Sequence, residues 1–176
     1  YVAGYWKFGS SDLQALSASL RYFSLGSINI TDDGGNITNS INPYEMAFDL
    51  GYSRKLSQSF SMGVVFRFIY SDLAYDETEG MKGAAAFAAD ISGYQTFYPI
   101  VGRSECQWSW GFNISNIGSK VSYDGGNNSA FLPTNLRLGT TFLFPLADYN
   151  TLSLSLDLNK LLVPAAPRQE DYLRSE

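Results

Sequence analysis

The sequence contains no histidine and one cysteine, Cys106. Histidine and cysteine supply most protein ligands for zinc and other transition metals, so their scarcity excludes the common metal sites. The absence of histidine also excludes a Ser-His pair within this chain. Cys106 has no cysteine partner and falls on the apolar side of its own strand pattern, so it is interpreted as a buried hydrophobic residue. We therefore expect no metal site and no cofactor.

Charged residues are also scarce, at 16% of the chain, against about 25% in typical soluble domains. The net charge is -5 and Lys and Arg do not cluster, which argues against nucleic acid as a partner. No run of about 18 apolar residues is present, so the sequence predicts no membrane helix. Aromatic residues, in contrast, make up 15% of the chain. This composition suits a β protein with a large apolar exterior.

The segment from Phe60 to Ser71 separates two chemistries at a period of two. A period of two places alternate side chains on opposite faces of a strand, and the segment therefore predicts a strand with one apolar and one polar face. A soluble sandwich could contain such a strand as well. The apolar set is Phe60, Met62, Val64, Phe66, Phe68 and Tyr70, and the other set is Ser61, Gly63, Val65, Arg67, Ile69 and Ser71.

The same pattern recurs along the chain and predicts about eight strands. The run 84–97 is the weakest, because its alanines would also suit a helix, but its alternation favours a strand. The connections alternate between short and long, and the long ones are the polar stretches 26–42, 72–83 and 116–133. The stretch 26–42 is interpreted as a loop without strands. Short turns on one side and long loops on the other are typical of outer-membrane barrels.

The distribution of charge supports the same interpretation. Arg or Lys on the lipid-facing side near the bilayer centre costs about 2 to 4 kcal/mol, and the apolar faces carry nearly no charge. We therefore predict an all-β, antiparallel transmembrane β-barrel, which must close because lipid offers no hydrogen-bonding partners. The charged residues on the other faces are predicted to form a luminal charge network: Arg21, Glu45, Asp49, Arg67, Asp90, Arg137 and Asp157.

Residues 1–163 are assigned to this barrel, and residues 164–176 to a loop or tail leading to strands that are not present. The chain has no clear start and ends in the charged segment RQEDYLRSE. We therefore expect a fragment of a larger barrel.

Four apolar residues interrupt the otherwise polar long connections: Ile28, Ile30, Ile37 and Phe131. Loops on a rigid scaffold often carry binding function, so these residues are candidate partner contacts. They could equally pack against the barrel rim. The nearby Asp32, Asp33 and Asn36 do not match the spacing of an EF-hand calcium loop and are interpreted as solvated loop residues.

Several segments also carry the resemblance to a known family. They are YFSLG at 22–26, YSRKL at 52–56, AFAAD at 86–90, WSWGFNISNIG at 108–118, FLPTNLRLG at 131–139 and LSLDLNKLLVP at 154–164. In these segments the chain resembles the PorV (LptO) family, the outer-membrane barrel proteins of the type IX secretion system.

This resemblance implies a FadL-like barrel of 14 strands, integral to the bacterial outer membrane, of which this chain would supply about eight. It implies a non-enzymatic component that binds exported cargo through its C-terminal signal domain. The implied partners are a translocon barrel (SprA/Sov-like), cargo C-terminal domains, a PorU-like sortase complex and outer-membrane lipids. No catalytic residue is implied.

Two alternative functions remain open at this point. The FadL-like architecture is compatible with a transporter of hydrophobic small molecules. An outer-membrane enzyme, for example one acting on lipopolysaccharide, would need a nucleophile and a base within reach of each other. Without histidine, a Ser-Asp site or a paired-carboxylate site using Glu45 and Asp49 remains as an alternative. These lie four residues apart on one strand face, about 13 Å by strand rise, which is too far for a dyad. Ion pairs with Arg21 or Arg67 account for them better.

Overall fold

The computed structural model describes residues 1–9, 13–73, 83–123, 129–147 and 149–162. Eight long strands form one antiparallel sheet in the order β1-β2-β5-β6-β7-β10-β13-β14, so every strand pairs with its neighbour along the chain. Numbered in chain order, they are β1 (Val2–Phe8), β2 (Gln14–Ser24), β5 (Tyr44–Lys55), β6 (Phe60–Asp72), β7 (Ala84–Phe97), β10 (Gln107–Gly118), β13 (Asn135–Ala147) and β14 (Asn150–Leu161).

Six short strands form three hairpins between the long ones. These are β3 (Ile28–Thr31) with β4 (Ile37–Ile41), β8 (Ile100–Val101) with β9 (Ser104–Glu105), and β11 (Lys120–Val121) with β12 (Ala130–Phe131). The eight predicted strands are confirmed, including the alanine-rich β7. The prediction that 26–42 is a loop without strands is wrong. There Asp32 accepts hydrogen bonds from the amides of Gly34 and Asn36, and Gly35 has φ +82, which closes the β3–β4 turn.

The two faces of the sheet differ in chemistry as the alternation predicts. Residues paired directly across strands share a face, as in the pairs Leu50↔Phe66 and Asp49↔Arg67. One face is apolar across all eight strands. Its charged residues, within the described strands, occupy only the last two positions of their strands: Arg54, Asp72 and Lys160.

Burial is reversed relative to a soluble protein. On the apolar face Phe66 is 69% exposed, Phe87 66% and Leu154 61%. On the polar face Ser71 is 4% exposed and Asp90 8%. An apolar surface this extensive needs an apolar partner, because a soluble monomer rarely exposes such large contiguous patches.

Aromatic rings border the apolar face at both strand ends. At one end Tyr44 lies 5.7 Å from Tyr22 and 6.0 Å from Tyr70, measured between ring centroids. At the other end Phe8 approaches Tyr52 at 6.5 Å, and Phe97 and Trp108 meet at 5.5 Å. Tyr44 and Tyr52 are eight positions apart on β5, about 26 Å along the strand. If the strands tilt by about 40° from the barrel axis, this distance is roughly 20 Å along that axis. The apolar band of outer-membrane barrels is of similar height, about 25 Å.

The connections lie alternately at the two ends of the sheet. Residues 56–59 and the β8–β9 hairpin lie at one end, and the β3–β4 and β11–β12 hairpins lie at the other. In the described ranges no helix is long and apolar enough to span a membrane. The predicted tail, 164–176, lies outside the described residues.

Candidate functional site

Arg67 on β6 is the centre of a cluster on the polar face. Its Nε lies 2.7 Å from Oδ1 of Asp49, its direct neighbour on β5. Its Nη2 lies 3.0 Å from Oδ2 of Asp90 on β7, and its Nη1 lies 3.5 Å from the other Asp90 oxygen. The three side chains are 16%, 14% and 10% exposed. A cation this shielded requires paired charges, and two carboxylates on flanking strands supply them.

Asn116 connects this cluster to the chain that follows β10. A β-bulge interrupts the β7–β10 ladder between Ile114 and Ile117, and Asn116 has φ 58. Its Oδ1 accepts a hydrogen bond from Nη1 of Arg67 at 2.6 Å. Its backbone N–H donates a hydrogen bond to Oδ1 of Asp90 at 2.8 Å. Bulges re-aim side chains, and this one aims the Asn116 carboxamide at Arg67.

A second set of polar contacts is made by Tyr123, two residues after the end of β11. Tyr123 donates its hydroxyl proton to Oγ of Ser71 at 3.0 Å, and Ser71 donates to Oε1 of Glu45 at 3.0 Å. Ser71 pairs with Ala84 in the sheet. The alanines on the polar face of β7 have short side chains, which leave room for another segment to lie over them. All three are buried: Ala84, Ala86 and Ala88. The segment 119–123 therefore lies inward over the start of β7.

The predicted charged residues separate into one cluster and several isolated positions. Arg67, Asp49 and Asp90 are brought together, which confirms the predicted ion pair of Asp49. The ion pair predicted for Glu45 is wrong for the described residues, because its carboxylate accepts a hydrogen bond from Ser71 instead. The Arg21 guanidinium lies 5.7 Å from the Tyr1 ring centroid. Over the described ranges, both ion pairs found involve Arg67.

Arg137 and Asp157 lie apart from this cluster. They line a concavity of about 400 Å³ formed by β7, β10, β13 and β14, where Gly111 and Gly139 have no side chains to fill the space. A larger depression, about 890 Å³, lies on the apolar face around Gly4 and Ala18. Its position on the apolar face of the sheet separates it from the Arg67 cluster.

Four residues of these two sets of polar contacts were not predicted as site residues: Ser19, Ser71, Asn116 and Tyr123. Ser19 donates to Asp49 at 3.0 Å. Ser19 and Ser71 were on the predicted polar faces, so alternation alone would have included them. Asn116 and Tyr123 fell in a predicted loop, and the only local signal was that Asn tolerates positive φ better than most residues.

The four candidate contact residues lie in hairpins. Ile28 and Ile30 lie on β3, Ile37 on β4 and Phe131 on β12. Ile37 is 63% exposed, Phe131 57% and Ile28 45%, whereas Ile30 is half-buried. The Lys120 ammonium lies 4.7 Å from the Phe131 ring centroid, within the range of a cation–π contact.

The charged groups of the Arg67 cluster are paired with one another. The described part of the chain holds no group of three potential metal ligands. Asp49 and Glu45 are each engaged by a different partner, Arg67 and Ser71 respectively. Cys106 is buried at 1% exposure just before β10, as expected for a hydrophobic residue.

An antiparallel sheet with an apolar exposed face, aromatic borders and a charged, shielded opposite face defines the transmembrane β-barrel class. The apolar face is the lipid-facing wall and the polar face is the inner wall. The family model for the type IX secretion system protein PorV matches residues 5–168. The chain belongs to this family, the outer-membrane components of type IX secretion, as its segments at 108–118 and 131–139 predicted. A search of curated proteins found no match.

Proposed function

We propose that this chain is part of an outer-membrane carrier that binds exported cargo through its C-terminal signal domain. The carrier receives the cargo from a SprA/Sov-like translocon barrel and passes it to a PorU-like attachment complex. The observation that carries this proposal is the family match over residues 5–168. The all-β architecture is consistent with a scaffold that displays loops at a membrane surface.

The contact surface of this carrier lies at the end of the sheet that bears the β3–β4 and β11–β12 hairpins. Ile37 and Phe131 project there with 63% and 57% of their surface exposed. Exposed apolar side chains with polar surroundings are typical of binding surfaces. The hairpin backbone pairing holds them in place, which reduces the entropy lost on binding.

The test is affinity capture of the full-length protein from detergent-solubilised outer membranes. We expect the translocon barrel and cargo C-terminal domains to be recovered with the wild type. Ile37→Asp is expected to reduce cargo recovery about tenfold, as for an apolar interface residue that contributes more than about 1 kcal/mol.

Ile100→Asp is the matched control. Ile100 is 76% exposed in the β8–β9 hairpin at the opposite end of the sheet, and its substitution is expected to leave recovery unchanged. Recovery of neither partner with the wild type would refute the carrier function. Equal losses in the two variants would refute the assignment of the surface.

Transport of hydrophobic small molecules is less well supported. The described inner wall carries Arg67 between two carboxylates, and an apolar solute passing there would displace polar contacts without replacing them. Uptake of a fatty acid by vesicles containing the full-length protein, at a rate above that of empty vesicles, would favour the transporter.

A further inference from the structure

We propose that Asn116 is a positioning residue that fastens both ends of the β10–β13 connection to the inner wall. The clip is defined as Asn116 with its four hydrogen-bonding partners, Arg67, Asp90, Pro133 and Thr134. By holding this connection inward it sets the orientation of the β11–β12 hairpin, and therefore of Phe131. Only this last step rests on the proposed function, because it makes Phe131 a partner contact.

The first step is the attachment of Asn116 to the wall. Its side-chain carboxamide oxygen accepts a hydrogen bond from Arg67 at 2.6 Å, and its backbone N–H donates one to Asp90 at 2.8 Å. Both partners are charged, and hydrogen bonds to charged groups are stronger than neutral ones. Arg67 and Asp90 are themselves fixed by their ion pair, so the attachment point is rigid.

The second step is the attachment of the far end of the connection. The carbonyl of Asn116 accepts from Oγ1 of Thr134 at 3.0 Å. Its Nδ2 lies 3.4 Å from the carbonyl oxygen of Pro133 and donates to it. Residues 133 and 134 directly precede β13. Through its side chain and its backbone, Asn116 thus joins the inner wall to both the beginning and the end of the β10–β13 connection.

The third step is the surface on which the connection lies. The amide of Ser119 donates to the carbonyl of Phe87, and the Ser119 hydroxyl accepts from the Phe87 amide at 3.1 Å. Tyr123 then reaches Ser71 on β6. Between these contacts Ala86 is 1% exposed. The connection covers the inner wall here because β7 presents only methyl groups beneath it.

The fourth step is the consequence for the hairpin. Lys120 pairs with Phe131 across β11 and β12, and its ammonium lies over the Phe131 ring. Lys120 follows directly after Ser119, which is bonded to β7. Holding residue 119 on one side and residue 134 on the other therefore fixes the direction in which Phe131 is presented.

Trypsin can report on this clip because of where Lys120 lies in the sequence. Lys120 is the one Lys or Arg between Arg103 and Arg137, so cleavage after it reports release of the connection. Cleavage of a folded protein requires local opening. The substitution Asn116→Gly removes the carboxamide contacts and keeps a residue that tolerates positive φ.

We expect Asn116→Gly to increase cleavage after Lys120 in the detergent-solubilised full-length protein by roughly tenfold, as when one or two local hydrogen bonds are lost. Asn113→Gly is the matched control, since it makes the same substitution on the same strand and the same face. Its cleavage is expected to match the wild type. If Asn116→Gly does not fold, Thr134→Val, which removes the hydroxyl that donates to the Asn116 carbonyl, is expected to give a smaller increase.

Affinity capture of cargo C-terminal domains by the same proteins separates the two proposals. Reduced capture together with faster cleavage would support the positioning role. Equal cleavage in Asn116→Gly, Asn113→Gly and wild type would overturn the clip. Faster cleavage with unchanged capture would overturn the positioning of Phe131. Wild-type protein that captures no cargo would refute the carrier function, while the cleavage rates would still decide on the clip.

Discussion

Arg67 lies between carboxylates from both neighbouring strands, and each charge depends on the others. Removing one member of a shielded ion pair leaves the remaining charges without compensation, which costs more than the intact pair contributes. Because Asp49 and Asp90 both face Arg67, the substitution with the largest expected effect is at the cation.

Arg67→Met is expected to lower the free energy of unfolding by about 3 kcal/mol. Two carboxylates would then face each other with little access to solvent, and Asn116 would lose one of its wall contacts. Urea titration of the protein in lipid vesicles, followed by tryptophan fluorescence, measures the change.

Arg21→Met is the control for this experiment. The Arg21 side chain is exposed and lies over the Tyr1 ring, so the expected cost is below about 1 kcal/mol. Equal costs for the two variants would show that the Arg67 cluster contributes no special stability.

The hairpin between β3 and β4 provides a pH-dependent feature outside the membrane-spanning strands. The backbone amide of Asn36, then its side chain, hold the pKa of Asp32 below its ordinary value by hydrogen bonding the carboxylate. A group with a lowered pKa in the folded state stabilises that state above its unfolded pKa, about 3.9. This contribution is lost as pH falls through the lower, folded value.

We expect the amide NMR signals of Gly34 and Asn36 to titrate together, with a midpoint below about 3.9. Both amides donate to Oδ1 of Asp32 at 2.9 and 2.8 Å, so protonation weakens both bonds at once. In Asp32→Ala the two signals should lose this pH dependence. A midpoint at or above 3.9 in the wild type would contradict the hydrogen-bonded carboxylate.

At the scale of elements, the alternation of side chains was sufficient to predict the eight long strands. The apolar or polar character of each face follows from period two alone, as for Phe66 and Arg67. An ion pair of Asp49 with Arg21 or Arg67 was predicted, but the choice between the two arginines could not be, because it depends on the register set by the turn at 56–59. The β3–β4 hairpin was missed, since strands of four and five residues in a polar segment carry little periodic signal.

The clip at Asn116 was beyond prediction for a different reason. Its partners Asp90 and Arg67 lie 26 and 49 residues away in the chain, and only the folded sheet brings them together. The bulge that rotates Asn116 inward also breaks the alternation after Ile114. Strict alternation therefore predicts the face of each residue only as far as Ile114 and gives no information about Asn116.

The apolar face of β5 allows a depth-dependent test of the membrane assignment. Phe48 lies midway between Tyr44 and Tyr52 on this face. Phe48→Arg is expected to cost about 2 to 4 kcal/mol of folding free energy in lipid vesicles, and Tyr44→Arg, at the aromatic border, about 0 to 1 kcal/mol. Urea titration in vesicles measures both, and equal costs would place the two residues at one depth.

At the scale of the whole molecule, the two ends of the sheet differ in the size of their connections. Outer-membrane barrels direct the longer connections outward and the short turns to the periplasm. The end with β3–β4 and β11–β12 is therefore expected on the cell surface, and the end with β8–β9 in the periplasm. The proposed capture of cargo at Phe131 and Ile37 requires this orientation.

Labelling of single cysteines on intact cells tests the orientation directly. Ile37→Cys and Ile100→Cys place thiols at the two ends, and the parent residues are 63% and 76% exposed, so local access is comparable. Native Cys106 is 1% exposed and should remain unlabelled in the folded protein. With a membrane-impermeant maleimide, we expect Ile37→Cys to react on intact cells and Ile100→Cys to react only after the outer membrane is permeabilised. The opposite pattern would place the long connections in the periplasm, and reaction of both thiols on intact cells would contradict a sheet that crosses the membrane.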